Sequence, residues 1–92
     1  MPMQIDHDPA SGRFSTQLDG HEAELLYRQQ GGRMVIDHTG VPQAIGGRGV
    51  AGALVKAALD YARAEGLRVV PQCSYSAEYI QRHPEYADLV DA

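Results

Sequence analysis

The chain has 92 residues and a net charge of −4 with its histidines neutral. That length suits one domain over 1–92 with a modest core. The acidic balance argues against a nucleic-acid partner, whose phosphates would require clustered lysine and arginine.

One cysteine, Cys73, excludes an internal disulfide framework, and the scattered histidines His7, His21, His38 and His83 show no ligand spacing. No metal is therefore expected. The N-terminal "MPMQIDHDPASG" has neither a basic segment nor an apolar run, so it does not read as a secretory signal. No apolar run approaches membrane-spanning length, so no membrane partner is expected and the cytoplasm is the default location.

"MQIDHD" reads as an edge strand and "PASG" as a turn. In "RFSTQL", Phe14, Thr16 and Leu18 alternate with polar residues, the pattern of a half-buried strand. Asp19-Gly20 is a hairpin turn signal. "HEAELLYRQQ" has helical propensity, but Ala23, Leu25 and Tyr27 alternate after a hairpin turn, which predicts a strand. The glycines at 31 and 32 mark another turn, and the β-branched "RMVIDHTGV" reads as a central strand.

The second half changes character. From Gly49 to Glu65 the spacing is helical, with Val50, Leu54, Ala57, Ala58 and Tyr61 on one apolar face. Val55, Leu59 and Ala62 widen that face; Gly52, Lys56, Asp60 and Arg63 form a narrow polar stripe. Gly66 is a natural stop. "LRVVPQC" is predicted as a strand. "SYSAEYIQRH" is predicted as a short helix capped by Ser76, with Glu78 in its first turn. His83 precedes Pro84 and should end it, and "PEYADLV" should form a further short helical turn. The fold class is α+β, a mainly antiparallel sheet with a strand-loop-helix-strand unit at its middle.

Glycines at 46, 47 and 49, with Arg48 among them, stand at the head of the long helix. Bare backbone there exposes N–H groups at the positive end of the helix, which suits an anion such as phosphate. Arg48 could add a charge-assisted contact. The same glycines would equally serve a tight strand-to-helix turn. No GxxxxGK[ST] run is present, and a dinucleotide fingerprint would need a parallel sheet that the preceding strands do not suggest.

"GGRGVA", Gly46 to Ala51, resembles the acetyl-CoA loop of the GCN5-related N-acetyltransferases, written [QR]-x-x-G-x-[GA]. Gly49 and Ala51 match, while Gly46 stands where that pattern has Gln or Arg. The wider stretch "HTGVP…GRGVAGALVKAALDYAR…GLRVVPQCSY…YI" resembles a branch of very small members of that superfamily. The likeness runs from about Phe14 to the C-terminus and is specific from His38 to Ile80. It implies a minimal acetyltransferase fold that binds acetyl-CoA as co-substrate. The strand end at Thr39, Gly40 and Val41 would splay and pair its backbone with the pantetheine arm. The N–H groups of Gly46, Gly47, Arg48, Gly49, Val50 and Ala51 would hold the pyrophosphate. Small members often carry an acidic residue where this chain has Gly40.

Acetyl transfer needs a neutral amine, a polarised thioester carbonyl and a stabilised leaving thiolate. Cys73, at a strand end before a short helix, is a candidate nucleophile or a buried structural thiol. In the resembled branch a cysteine recurs there beside the expected acetyl group. His38 could deprotonate the amine or the thiol, or only order the loop. Tyr79 sits where many members of the resembled superfamily place an acid for the leaving thiolate; Tyr75 is nearby, and either ring could simply pack. The reading is an N-acetyltransferase acting on an unidentified amine, borne by a small molecule or a protein. It would act by direct attack or through a Cys73 acyl intermediate. The alternative is a non-catalytic CoA or acyl-CoA-binding module. An open sheet edge would permit a homodimer as well as a monomer.

Overall fold

The computed structural model describes residues 3–90; the remaining four positions of the expected domain lie outside the described residues. Strands β1 (Asp6–Asp8), β2 (Arg13–Leu18), β3 (His21–Gln30) and β4 (Arg33–Gly40) form an antiparallel meander, and β5 (Arg68–Pro71) adds parallel to β4. Helix α1 (Val50–Glu65) makes the crossover from β4 to β5. Helix α2 (Ser74–Arg82) follows, and a 3-10 segment over Pro84–Leu89 closes the chain. The expected α+β class and the β4–loop–α1–β5 unit are both present.

Turn chemistry sets the meander. Asp19 and Gly20 both take positive φ, 52° and 77°, as a two-residue hairpin turn of the twist-matched kind requires. Gly12 (φ +70°) is more tightly constrained: a Cβ there would lie 2.2 Å from the carbonyl oxygen of Tyr27. Its own N–H bonds Asp8 O at 3.0 Å, and its carbonyl accepts from the Tyr27 N–H at 2.9 Å.

The apolar alternation of the strands points at α1. Phe14, Ala23, Leu25, Tyr27, Met34, Ile36 and Val69 meet Val50, Leu54, Val55, Ala58, Leu59 and Ala62 in a single core. Ala57 and Tyr61, expected on the central face of the helix, are only partly buried at its margin. The buried stripe is centred instead on the line through Leu54, Ala58 and Ala62. The polar stripe is confirmed, and Asp60 in it accepts a hydrogen bond from the Tyr86 hydroxyl at 2.7 Å, docking the C-terminal segment.

Both helices lie on one side of the sheet, α2 against α1 and the ends of β4 and β5. The other side carries surface ion pairs, Arg13 with Glu22 and Glu24 and Arg28 with Asp37, rather than a second helical layer. The edges are short or occupied. β1 has three residues, two of them acidic, and Val90 bridges Val69 on the free side of β5.

Candidate active site at the parting of two strands

β4 and β5 run together only from Arg33↔Arg68 to Ile36↔Pro71. Pro71 brings no N–H to continue a ladder. The Gln72 N–H then folds back to Val70 O at 3.0 Å, and a last link joins the Cys73 N–H to Ile36 O at 3.0 Å. The strand expected over 67–73 therefore stops at Pro71. Beyond this point the end of β4 pairs with β3 alone, through Leu26↔His38, Leu25↔Thr39 and Glu24↔Gly40. Its other edge, running on toward Val41, faces a gap with free backbone hydrogen-bonding groups.

A bulge decides which side chains enter that gap. The β3–β4 register shifts between Leu26 and Tyr27, leaving Asp37 as the extra residue. Arg28 grips its carboxylate with two hydrogen bonds of 2.8 and 2.9 Å. The hydrogen bond from Arg28 holds the Asp37 carboxyl below the usual range, against a smaller upward push from burial. Before the bulge Met34 and Ile36 face the helices. After it the phase reverses: Thr39, opposite fully buried Leu25, faces them, and His38, opposite half-buried Leu26, faces away. Cys73 and His38, predicted at adjacent strand ends, thus stand on opposite sides of β4.

Cys73 is half-buried at the N-cap of α2. Its thiol donates to Thr39 Oγ1 at 3.6 Å across the gap. Burial pushes the thiol up, but hydrogen bonds from the Ser76 and Tyr75 backbone and from the Thr39 and Ser76 hydroxyls outweigh it and leave the pKa below the ordinary value. The expected cap residue, Ser76, is not the cap. The helix begins at Ser74, and the fully buried Ser76 hydroxyl donates to Cys73 O at 2.7 Å from inside the first turn. Glu78 is likewise beyond the first turn and pairs with Arg82 at 2.7 Å.

The glycine loop leads into α1 one residue later than expected, with Gly49 as N-cap in the left-handed region at φ 77° and no side-chain cap. The Ala53 N–H makes the first helical bond, to Gly49 O at 3.0 Å. Those of Gly47 through Gly52 have no backbone acceptor among the described residues. A Cβ at Gly47 or Gly49 would meet nothing within 4 Å. It is their positive φ, 78° and 77°, that calls for glycine. Gly46 is extended, at φ −66°. Arg48, expected to face an anion, forms an ion pair with Asp19 of the β2–β3 hairpin.

Tyr79 and Tyr75 rise from α2 against the first turn of α1. The Cβ position of Gly52 lies 3.6 Å from the Tyr79 ring and 3.4 Å from the Tyr75 hydroxyl. Burial raises the Tyr79 hydroxyl above its ordinary value. Tyr79 stacks on His83 at 3.9 Å, and His83 Nδ1 bonds Tyr79 O at 2.8 Å. With Tyr75, Glu78 and Arg82 these rings line a groove of about 130 Å³. Nothing in the residue pattern marks the bulge at Asp37, because an aspartate inside an apolar run has no glycine beside it to signal a kink. Among the described residues no group of three or more His, Cys, Asp or Glu could hold a metal ion. No helix among the described residues is long and apolar enough to cross a membrane.

A family model for GCN5-related N-acetyl-transferases matches residues 13–89. Protein NATD1 of Gallus gallus is 42% identical over 86 residues, covering 90% of this chain and 78% of that protein. Protein NATD1 of Homo sapiens is 41% identical, covering 90% and 76%. The NMR solution structure of a GCN5-like protein from Staphylococcus aureus superposes with a TM-score of 0.76 at 29% identity, covering 97% of this chain and 88% of that one. A strand parting beside a glycine-capped helix, the order of elements and the match from Arg13 to Leu89 all agree. The chain belongs to the GCN5-related N-acetyltransferase family, whose chemistry is acetyl transfer.

Proposed function

We propose that this chain, as a single domain over 1–92, moves an acetyl group from acetyl-CoA to a primary amine. The observation that carries the reading is the pairing of two features: a left-handed glycine N-cap with no side-chain cap, and a strand edge that β5 leaves unpaired beside Cys73 and Thr39. The pyrophosphate would sit on the N–H groups from Gly46 to Ala51, stabilised by the positive end of α1. The pantetheine arm would pair with the backbone of Thr39, Gly40 and Val41, extending β4 as a strand would. Its thioester would then lie in the gap beside Cys73, with Tyr79 as the acid for the leaving thiolate.

Direct attack by the amine needs nothing further from Cys73. A Cys73 acyl intermediate is the second route, favoured by the hydrogen bonds that lower its thiol pKa. A non-catalytic acyl-CoA-binding module is the second reading of the whole chain, favoured by the sheet face that no helix covers.

The test is a calorimetric titration with acetyl-CoA of the wild type and of Gly49→Asp, with circular dichroism to check the fold. Binding lost in a folded Gly49→Asp protein supports the reading. No binding by the wild type overturns it. Firm binding with no acetyl transfer to any amine leaves the binding module.

A further inference from the structure

We infer, resting on the acetyl-CoA reading above, that the groove along α2 receives the nucleotide end of the coenzyme. The adenine base lies against the rings of Tyr75, Tyr79 and His83, and the ribose 3′-phosphate meets Arg82.

The first support is position. The Tyr75 hydroxyl and the Tyr79 ring lie 3.4 and 3.6 Å from the Cβ position of Gly52, in the first turn of α1. Both side chains also line the groove. The groove therefore opens beside the helical turn whose N–H groups would hold the diphosphate. From a diphosphate seated there the coenzyme extends two ways. Its pantetheine arm would follow β4 toward Cys73, so its 3′-phosphoadenosine has to lie elsewhere. A second cavity, lined by residues 9–12 and 27–29, has no wall from α1, α2 or the glycine loop.

The second support is size and surface. At about 130 Å³ the groove is well below the roughly 300–1,000 Å³ of a pocket that encloses a drug-sized ligand. It suits one planar ring system rather than the whole coenzyme. Tyr79 and His83 already stack, with centroids 3.9 Å apart and planes 15° from parallel. Tyr75 is 41% exposed, the one large hydrophobic side chain so exposed among the described residues, and it takes no part in the core. Its hydroxyl forms no hydrogen bond with any described residue. A ring held at the mouth of a groove, neither packed nor bonded, is available to a base, since every base offers a π face.

The third support is charge. Arg82 lines the groove, and its guanidinium pairs with Glu78 one turn earlier at 2.7 Å. The two side chains are 74% and 57% exposed, so the pair is weak and a phosphate can displace the carboxylate. Lys56, one turn beyond Gly52 on α1, adds positive charge that reaches the Tyr79 hydroxyl. Asp60 and Glu85 oppose it there. Asp60 is itself taken up by Lys56 at 2.8 Å and by the Tyr86 hydroxyl at 2.7 Å. Arg82 is thus the cation in the groove wall that can turn to a phosphate, while the rings serve the base. A thioester of the full coenzyme gains both contacts, and one of dephospho-CoA gains the stack alone.

The test is calorimetry with acetyl-CoA, acetyl-dephospho-CoA and adenosine 3′,5′-bisphosphate on the wild type, Tyr75→Ala and Arg82→Gln. Circular dichroism checks the fold, which both variants should keep because both side chains are exposed. Acetyl-dephospho-CoA should bind the wild type about fivefold more weakly than acetyl-CoA at low salt, and Arg82→Gln should remove that difference. Tyr75→Ala should weaken all three ligands about tenfold. The bisphosphate, which carries no thioester, should compete with acetyl-CoA and shift the ring resonances of Tyr75, Tyr79 and His83 in NMR spectra. Unchanged acetyl-CoA affinity in Tyr75→Ala would overturn the inference while the acetyl-CoA reading stands. So would a preference for the 3′-phosphate that persists in Arg82→Gln, or bisphosphate shifts confined to residues outside α2. Failure of the wild type to bind acetyl-CoA would overturn the reading beneath, and the role of the groove with it.

Discussion

The Cys73 thiol meets Thr39 Oγ1 at 3.6 Å across the point where β4 and β5 separate. This contact ties the start of α2 to the end of β4 and helps fix the charge state of the thiol. Burial acts to keep the proton on; the surrounding donors act to take it off, and they prevail. Thr39→Val keeps the β-branched shape and removes one donor. The thiol pKa should rise, so alkylation of Cys73 by iodoacetamide at neutral pH should slow and its pH profile move to higher pH. The same profile in both proteins would leave Thr39 without influence on the thiol.

Much of this arrangement is legible in the sequence, and the remainder has a physical reason for being hidden. Asp19-Gly20 and Gly31-Gly32 punctuate the meander because each needs positive φ. The α1 period is clear because a crossover helix must bury one side. The side of β4 on which His38 and Thr39 fall is not legible, because it depends on a bulge set by pairing to β3 and by the grip of Arg28 on Asp37. Ser76 misleads for a related reason. Its hydroxyl has the chemistry of a cap, but the chain turns into α2 earlier, as soon as the Cys73 N–H is taken by Ile36 O. Arg48 is read as an anion contact from its neighbours in sequence, whereas its partner Asp19 is distant in the chain.

Gly12 should be the least replaceable of the turn glycines. Alanine there brings a Cβ to 2.2 Å from Tyr27 O at a φ of +70°. The neighbour is backbone and paired on both sides, so strain and overpacking add. A loss of roughly 2–4 kcal/mol is expected, with a fall in Tm on the order of 10 °C or more. Gly32→Ala, at φ +77° but with nothing within 4 Å of its Cβ, should cost markedly less. Thermal melts of the two variants check the ordering; equal losses would mean that the Tyr27 contact relaxes freely.

His7 should give the fold a pH dependence in mildly acid solution. Its ring stacks on Phe14 at 3.9 Å, meets Tyr61 edge-on at 4.4 Å and hydrogen-bonds the Tyr27 hydroxyl at 2.6 Å. Burial lowers its pKa below the ordinary 6.5, more than Asp8 raises it. The unfolded chain then binds more protons than the native one between the folded value and 6.5, so stability rises with pH in that window. The contribution is full above 6.5 and is lost as pH falls toward the folded value. Asp37, Asp60 and Asp88, whose carboxyls are held low by their partners, weaken the fold only at far lower pH. Tm should therefore decline from pH 7.5 to about pH 5.5, and His7→Phe should flatten that decline. A slope unchanged in His7→Phe would assign it elsewhere.

The ion pair of Arg48 with Asp19 bears on the proposed cofactor site, because an arginine held by a carboxylate is less available to a phosphate. Both side chains are more than half exposed, so the pair is weak and readily exchanged. Asn tolerates the left-handed conformation that Asp19 adopts at φ 52°, so Asp19→Asn should preserve the hairpin while releasing the guanidinium. Acetyl-CoA affinity should then rise about two- to fivefold at low salt, and the gain should shrink as salt is added. Arg48→Ala should weaken binding and leave nothing for Asp19→Asn to improve in the double variant. Calorimetry on the four proteins closes this cycle. If Asp19→Asn strengthens binding equally with and without Arg48, the carboxylate acts by its own repulsion of the phosphates and not through the arginine it holds.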